Sequence, residues 1–467
     1  MGQALYFGFD KMAKKKSWAF LPVLGLLILV VLYFSLARKN QPYHSPGSNI
    51  ILISIDTLRA DHLGCYGYAP PTTPRIDEFR RDAVLFEKCM AASSSTLASH
   101  ASIMTSLIPA HHGAFFSLSE RLPAGMLTMA EIFKDNGFRT ASFNDGGQLA
   151  PEFGLDQGFD VYEHMDKDFP IDKVNFDRIV KKTEAWLDQN PEGRFFLFLH
   201  TYETHSPYTP KRALLDIFDK NYRGSLPPET LDDFVAKLNS GAIKISAEDK
   251  AHIVATYDAE IRSMDESFGA LVGGLKARGL YDKTLIIFTS DHGEEFDEHG
   301  IMATHSHTLY NELIHVPLIV KFPQSKFASH TVKTQVRSID ILPTVLDVLS
   351  IPAPAFFEGV SLMPFVLGRR PERALYVVSE RDMQQVFRSA FWSIMNERWK
   401  LYDSRLYDLA ADPGETTDVS RAHPEVKLSL RRRALRFLEI PSYRPVRTKA
   451  KLDEETKKRL RGLGYVR

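Results

Sequence analysis

Cysteine is almost missing from this 467-residue chain: Cys65 and Cys89 are its only two. That excludes a disulfide framework and a cysteine-rich zinc site, and leaves open whether the two pair with each other. An excess of either charge is missing as well. Lys+Arg and Asp+Glu both number 58, for a formal net charge of +0. A nucleic-acid partner therefore has no bulk electrostatic support. There is no internal repeat and no long low-complexity tract, which removes solenoids and wholesale disorder. What is present is ordinary: 44% hydrophobic and 25% charged residues. A chain of this length can build one large α/β domain with a smaller companion.

The N-terminus carries a separate message. Trp18 to Ala37 is nearly all apolar and holds no charge. Roughly 20 such residues span a bilayer as a helix. Lys11, Lys14, Lys15 and Lys16 precede the run, and Arg38 and Lys39 follow it. The heavier basic flank orients the N-terminus inward. The expected organisation is a cytoplasmic segment 1–17, a transmembrane anchor 18–37 and a linker 38–48 with Pro42, Pro46 and Gly47. The remainder then lies outside the cytoplasm, periplasmic or extracellular. A cleaved signal peptide is the alternative reading, since Ser35-Leu36-Ala37 is a passable cleavage site.

Beyond the linker, short continuous apolar runs recur at Asn49–Ile55, Phe195–Leu199, Thr284–Thr289 and Val316–Phe322. Continuous rather than alternating apolarity predicts strands covered on both faces, as in a mostly parallel sheet. Helical patterns lie between them, over Arg75–Val84, Ser99–Ser106, Met126–Asn136, Asp177–Gln189 and Asp249–Arg278. Strand and helix in alternation give an α/β fold class, a large mixed, mostly parallel sheet sandwiched between helices. The punctuation changes near Ile351-Pro-Ala-Pro-Ala355. Residues 49–370 are expected to form the main domain and 371–467 a small C-terminal α+β subdomain. Its strands are predicted at Leu375–Ser379 and Ala390–Tyr402, and its helix at Pro424–Leu438.

Polar residues stand just past the carboxyl ends of three of those strands: Asp56, then His200 and His205, then Asp291 and His292. Ligands of open α/β sheets bind beyond those ends, so residues far apart in sequence converge there. Oxygen and imidazole donors suit a divalent ion. Thr96 opens a helical segment. Its plain role is to cap that helix. Its sharper role is a nucleophile whose alkoxide a metal stabilises, with the helix start favouring a bound anion and Ser99 and His100 beside it. His111-His112 is read as a structural turn, because adjacent residues seldom face one metal, and Arg431–Arg433 as a solvated helix face.

These motifs, taken in order, resemble the sulfatase-like part of the alkaline phosphatase superfamily over about residues 49–440. Asn49-Ile-Ile-Leu-Ile-Ser-Ile-Asp-Thr-Leu-Arg-Ala-Asp61 resembles the family's opening strand and first metal aspartate. Thr96-Leu-Ala-Ser-His100 lies where sulfatases carry Cys-x-Pro-Ser-Arg, with Thr105 at the family's following threonine. His205-Ser-Pro207 resembles its His-x-Pro element, and Ser290-Asp-His-Gly-Glu294 its second metal motif. Val336–Thr344, Trp399-Lys-Leu401, Leu406–Leu409 and Asp412-Pro-Gly-Glu415 are further landmarks.

The resemblance implies one divalent ion (calcium, manganese, magnesium or zinc) on Asp56, Thr96, Asp291 and His292. It implies catalytic roles for Thr96, His205 and His307, His205 protonating the leaving oxygen and His307 standing where sulfatases have a substrate-binding lysine. His100, Arg59 and His305 would bind the substrate anion. Superfamily members with two metals suggest Glu203, His205, His305 and His307 as further ligands, but the single-metal pattern fits better. Three departures stand out. Threonine cannot be oxidised to the formylglycine aldehyde of sulfatases. Ala98 and His100 replace Pro and Arg. No Gly-Lys-Trp-His element occurs near Phe143-Asn-Asp-Gly146. The expected activity is therefore hydrolysis of phosphate or sulfate esters with a threonine nucleophile. A membrane-anchored phosphotransferase to a lipid or glycan alcohol is one alternative, and an inactive binding protein of the same fold another.

Overall fold

The computed structural model describes residues 42–115, 120–164, 175–224, 226, 232–369, 375–381, 392–439 and 448–463. The expected anchor, 18–37, and the segment before it lie outside these. Among the described residues no helix is long and apolar enough to cross a membrane. The elements below belong to one compact unit, Ser45–Arg467.

Every residue of the first strand, β1 (Asn49–Ile55), is buried. Its run of β-branched and leucine side chains has no polar alternation, so it is stable only between two covered faces. It occupies the centre of the main sheet. The other strands are β2 (Val84–Met90), β3 (Arg139–Phe143), β4 (Val161–Glu163), β5 (Phe195–Thr201), β6 (Thr284–Ser290), β7 (His315–Lys321), β8 (Thr331–Val332) and β9 (Val336–Arg337). Their order is β8-β2-β7-β6-β1-β5-β3-β4, with β9 also on β2. β1 pairs in parallel with both β5 and β6, while β7 runs antiparallel to β6 and β2. The sheet is mixed and mostly parallel, as expected. In the β1–β5 and β1–β6 ladders Ile55 is level with Thr201 and Ser290. The ends of β1, β5 and β6 therefore coincide, and Asp56, Tyr202 and Asp291 leave the sheet together.

The covering layers include α1 (Pro74–Phe79), α2 (Thr96–Thr105), α3 (Met129–Asp135), α4 (Phe176–Gln189) and the 31-residue α5 (Ala247–Ala277). Ser246 and Asp249 form a reciprocal capping box that starts α5, and Thr128 and Glu131 do the same for α3. α5 packs against α1 and α4, joining Phe268, Met264, Ile261 and Tyr257 to Ile53 and Phe288 in one core. Removing one such side chain, as in Ile53→Ala, costs about 2–5 kcal/mol.

Two expectations are corrected here. The helix expected over Arg75–Val84 ends at Phe79, passes through a single 3-10 turn at Arg80–Asp82 and gives way to β2. Pairing of β2 with β7 and β8 outweighs the local helical periodicity. Within the expected Ala390–Tyr402 segment, the described residues 392–402 are not one strand. Trp392–Met395 and Trp399–Tyr402 form a hairpin inside a four-stranded antiparallel sheet, between Val377–Glu380 and Arg405–Asp408. The helix Pro424–Glu439 packs on this small sheet. The sheet is stitched to the chain just ahead of α2: Ser379 Oγ donates to the Ala91 carbonyl at 2.7 Å, and the Glu380 amide to that of Ala92 at 2.9 Å.

Candidate active site

The sheet delivers Asp56 at the end of β1. Its amide still donates to the Thr201 carbonyl at 3.1 Å, so the carboxylate is fixed by the ladder itself. The next residue, Thr57, turns the chain at φ 52°. That left-handed conformation costs a β-branched residue about 1–3 kcal/mol. Two bonds hold it: Thr57 Oγ1 donates to the Thr204 carbonyl at 2.7 Å, and the Tyr257 hydroxyl to the Thr57 carbonyl at 2.7 Å.

Thr96 is the first residue of α2, and Ser95 holds the capping position without a side-chain cap bond. The plain capping role is thus not Thr96's. Its hydroxyl donates to Asp56 Oδ2 at 3.2 Å and lies 3.3 Å from His292 Nε2. His292 donates from Nδ1 to the Gly293 carbonyl at 3.0 Å, which leaves the lone pair on Nε2. His292 Nε2 in turn lies 3.4 Å from Asp291 Oδ2. All of these residues are fully buried.

Two carboxylates without a counter-cation are costly in such a place. Burial pushes the pKa of Asp56 up, and burial with the charge of Asp56 does the same to Asp291. Burial pulls His292 down, but Asp291 and Asp56 outweigh it and the net shift is upward. Asp56 Oδ1 and Asp291 Oδ2 are buried without any hydrogen bond. Donor atoms of Asp56, Asp291 and His292 all lie within 4.8 Å of one another. Separations near 3.3 Å are those of neighbouring donors around an ion with bonds of about 2–2.6 Å. The residues present therefore fit a divalent metal, the kind of ion on which sulfatase-type enzymes depend.

A second histidine layer adjoins this group. His305 meets Glu294 Oε1 through Nδ1 at 3.2 Å, and its ring lies 4.5 Å from that of His292 and 4.8 Å from that of His205. Glu294 also accepts from the Tyr208 hydroxyl at 3.1 Å, and burial raises its pKa to about 7. His205 donates from Nδ1 to the Ser206 carbonyl, which turns Nε2 into its working nitrogen. Burial lowers the pKa of His205 to about 4. His307 is exposed on the same loop as His305.

Two of the expected anion contacts are placed differently. Arg59 is buried and its guanidinium is committed: it forks onto Asp61 at 2.9 and 2.8 Å, and Nη1 reaches Glu298 Oε1 at 2.5 Å and the Glu294 carbonyl at 3.0 Å. It ties the loop after β1 to the loop after β6 instead of facing a ligand. Burial opposes the shift, yet the Asp61 and Glu298 contacts raise the Arg59 pKa. His100 lies beneath Thr96, since Nδ1 donates to the Thr96 carbonyl at 2.8 Å and Nε2 meets Ser54 Oγ at 2.9 Å. Both ring nitrogens are taken. Glu203 accepts the Phe176 amide at 2.7 Å and caps α4. His111 pairs with Glu358 and His112 with Ser102, so the two rings serve different neighbours.

Sequence reasoning did not single out Gln148, and it named His200 at a strand end without giving it a role. Gln148 Oε1 accepts the Leu97 amide at 2.9 Å and satisfies the first turn of α2. It stands near Phe143-Asn-Asp-Gly146, the place of the lysine element in sulfatases. His200, on β5, is fully buried with Nε2 at 3.3 Å from Asp56 Oδ2. Its position one residue before the strand end was the available signal.

Comparison with known proteins agrees with this architecture. The Sulfatase family profile matches residues 48–351, well over half of the chain, and that of the N-sulphoglucosamine sulphohydrolase C-terminal region matches 297–437. An ulvan-active sulfatase of Formosa agariphila is 27% identical over 342 residues, covering 69% of this chain and 66% of that protein. A Delta 4,5-hexuronate-2-O-sulfatase of Bacteroides thetaiotaomicron is 23% identical, covering 83% of this chain and 87% of the relative. Among solved structures, a phosphonate monoester hydrolase of Agrobacterium radiobacter superposes with a TM-score of 0.68 at 22% identity, over 84% of this chain and 95% of that one. At that identity the likeness establishes the fold. With the profile spanning the main sheet and both carboxylates of the candidate metal centre, the chain belongs to the sulfatase family of hydrolases.

Proposed function

We propose that this enzyme hydrolyses phosphate esters in preference to sulfate esters, through a covalent intermediate on Thr96. The observation that carries the reading is the Thr96 hydroxyl, 3.2 Å from Asp56 and 3.3 Å from His292 at the start of a helix. A divalent ion on Asp56, Thr96, Asp291 and His292 would supply Lewis acidity toward the alcohol and the ester oxygens. Asp56, whose Oδ2 accepts from the hydroxyl, is placed to take its proton. Thr96 Oγ1 then attacks phosphorus and the bond to the leaving oxygen breaks. His205 Nε2, protonated as the substrate's negative charge raises its pKa, returns a proton to that oxygen. His305, oriented by Glu294, stands beside it, and His307 lies at the exposed rim. Water, losing a proton to His205, then attacks phosphorus; the bond to Thr96 Oγ1 breaks, Asp56 returns the proton to Oγ1, and phosphate leaves.

Threonine supports phosphoryl over sulfuryl transfer. Formylglycine expels sulfate by elimination from its second hydroxyl, and a threonine ester has no such route. The relatives named for ulvan and for a hexuronate favour a sugar-borne ester. The test is a panel of aryl phosphate monoesters, diesters and sulfates, together with hexuronate 2-sulfate, on the purified protein and on Thr96→Ala. Phosphatase activity that disappears in the variant is expected. Turnover of sulfates alone would reverse the preference.

We also place 18–37 as the anchor of a protein whose domain 49–370 and subdomain 371–467 lie outside the cytoplasm. The basic flank before the apolar run supports this. Resistance to alkaline carbonate extraction, with the main domain accessible to external protease, is the expected result.

A further inference from the structure

We propose a second divalent-cation site beneath the nucleophile, formed by His200, Asp56 and Asp291 with His100 at its edge. It rests on the reading of Asp56 and Asp291 as ligands of a first ion, whose carboxylates it shares.

The starting observation is His200. Its side chain is fully buried, and neither ring nitrogen has a hydrogen bond. A buried polar group left unmade costs about 1–3 kcal/mol, so such groups in native proteins have a partner, an ion or a water. Its neighbours narrow the choice. Nε2 lies 3.3 Å from Asp56 Oδ2, yet the approach lacks hydrogen-bond alignment. Nitrogen and oxygen lie this close in two common ways: with a proton between them or as two ligands of one ion. Asp291 Oδ2 is a second buried donor without a hydrogen bond. Donor atoms of His100, His200 and Asp291 fall within 4.8 Å of one another, and all three residues are fully buried.

Sheet register explains the cluster. Ser54 of β1 is level with His200 of β5, and side chains at one level of adjacent strands share a face. Ser54 Oγ meets His100 Nε2 at 2.9 Å, so this is the face that α2 covers. The carboxylates at the strand ends can thus be approached by His292 and Thr96 on the one hand and by His200 on the other. His100 Nδ1 lies 3.6 Å from Asp291 Oδ2 but donates to the Thr96 carbonyl at 2.8 Å. It becomes a ligand only by giving up that bond, so His200 and the two carboxylates are the primary donors. An imidazole with two carboxylates selects zinc or manganese over calcium or magnesium. Through His100 the site is linked to the backbone of Thr96. A cation here would offset the carboxylate charge and stiffen the seat of the nucleophile.

The experiment uses the full-length protein, stripped with a chelator, reloaded with zinc and desalted. Metal-to-protein ratios are measured by mass spectrometry, and zinc positions by anomalous scattering from crystals. About two zinc ions per chain are expected, as in other paired sites, and about one in His200→Ala. The ion lost should be the peak at His200. One zinc per chain in the wild type, with only water at His200 in the anomalous and electron-density maps, overturns the second site and leaves the first intact. No bound zinc overturns both. The wild-type maps decide the question even if His200→Ala and His200→Gln fail to fold.

Discussion

Thr96 Oγ1 stands 3.2 Å from Asp56 Oδ2, across a separation of 40 residues that includes a whole strand of the sheet. Asp56 is held by the β1–β5 ladder, and Thr96 by the first turn of α2. The contact is therefore between two rigid elements, the arrangement that holds a reacting group near its working geometry.

Thr96→Ala should lower kcat by about a thousandfold or more, and Thr96→Ser by far less, because serine keeps the hydroxyl and loses only a methyl group. Circular dichroism should be unchanged in both. An alanine variant that retains wild-type turnover removes Thr96 from the chemistry.

A divalent ion at the proposed site should raise stability. An ion at 100 times its dissociation constant adds about 2.7 kcal/mol to the folded state. Asp291→Asn should lose most of that gain. Without metal, the same variant should melt at or above the wild type, because a buried charge with no cation has been removed. Melting curves with and without chelator give both comparisons. A variant that responds to metal as the wild type does would dismiss Asp291 as a ligand.

Arg59 is expected to act on stability. It bridges Asp61, Glu298 and the Glu294 carbonyl, and leaving those partners unmatched in Arg59→Ala should cost about 3 kcal/mol. A raised KM with an unaltered melting temperature would instead make Arg59 a substrate contact.

A buried carboxylate away from the site sets a pH response. Burial, followed by the charge of Glu203, raises Glu260 from its ordinary 4.5 to about 8. An acid with a raised folded pKa binds more protons when folded than when unfolded, so stability falls as pH climbs between those two values. Below the lower value the effect vanishes, and above the higher one the cost is complete. Glu260→Gln can still accept the Thr209 amide, which Glu260 meets at 2.7 Å. It should flatten the decline and gain on the order of 3 kcal/mol at alkaline pH. Equal slopes for variant and wild type from pH 5 to 8 would contradict this.

Much of the candidate site was legible beforehand because strand ends mark it. Asp56, Asp291 and His292 each follow an unbroken apolar run, and the structure gathers them as proposed metal ligands with Thr96. The misplacements have one cause. Arg59 and His100 lie in the right motifs, but a motif does not say which neighbour a long side chain or an imidazole will meet. Arg59 found Asp61 and Glu298, and His100 found Ser54. β2 was hidden because its pairing partners, β7 and β8, lie far along the chain.

The sequence by itself determined the strand-and-helix alternation and the chemical types at the strand ends, since apolar periodicity and turn residues are local properties. Tertiary structure alone decided that Gln148 satisfies the first turn of α2, that Arg59 bridges two loops, and that His200 shares a sheet face with Ser54. Those outcomes depend on register between strands whose residues are more than a hundred positions apart, and register is set by packing of the whole sheet rather than by any segment within it.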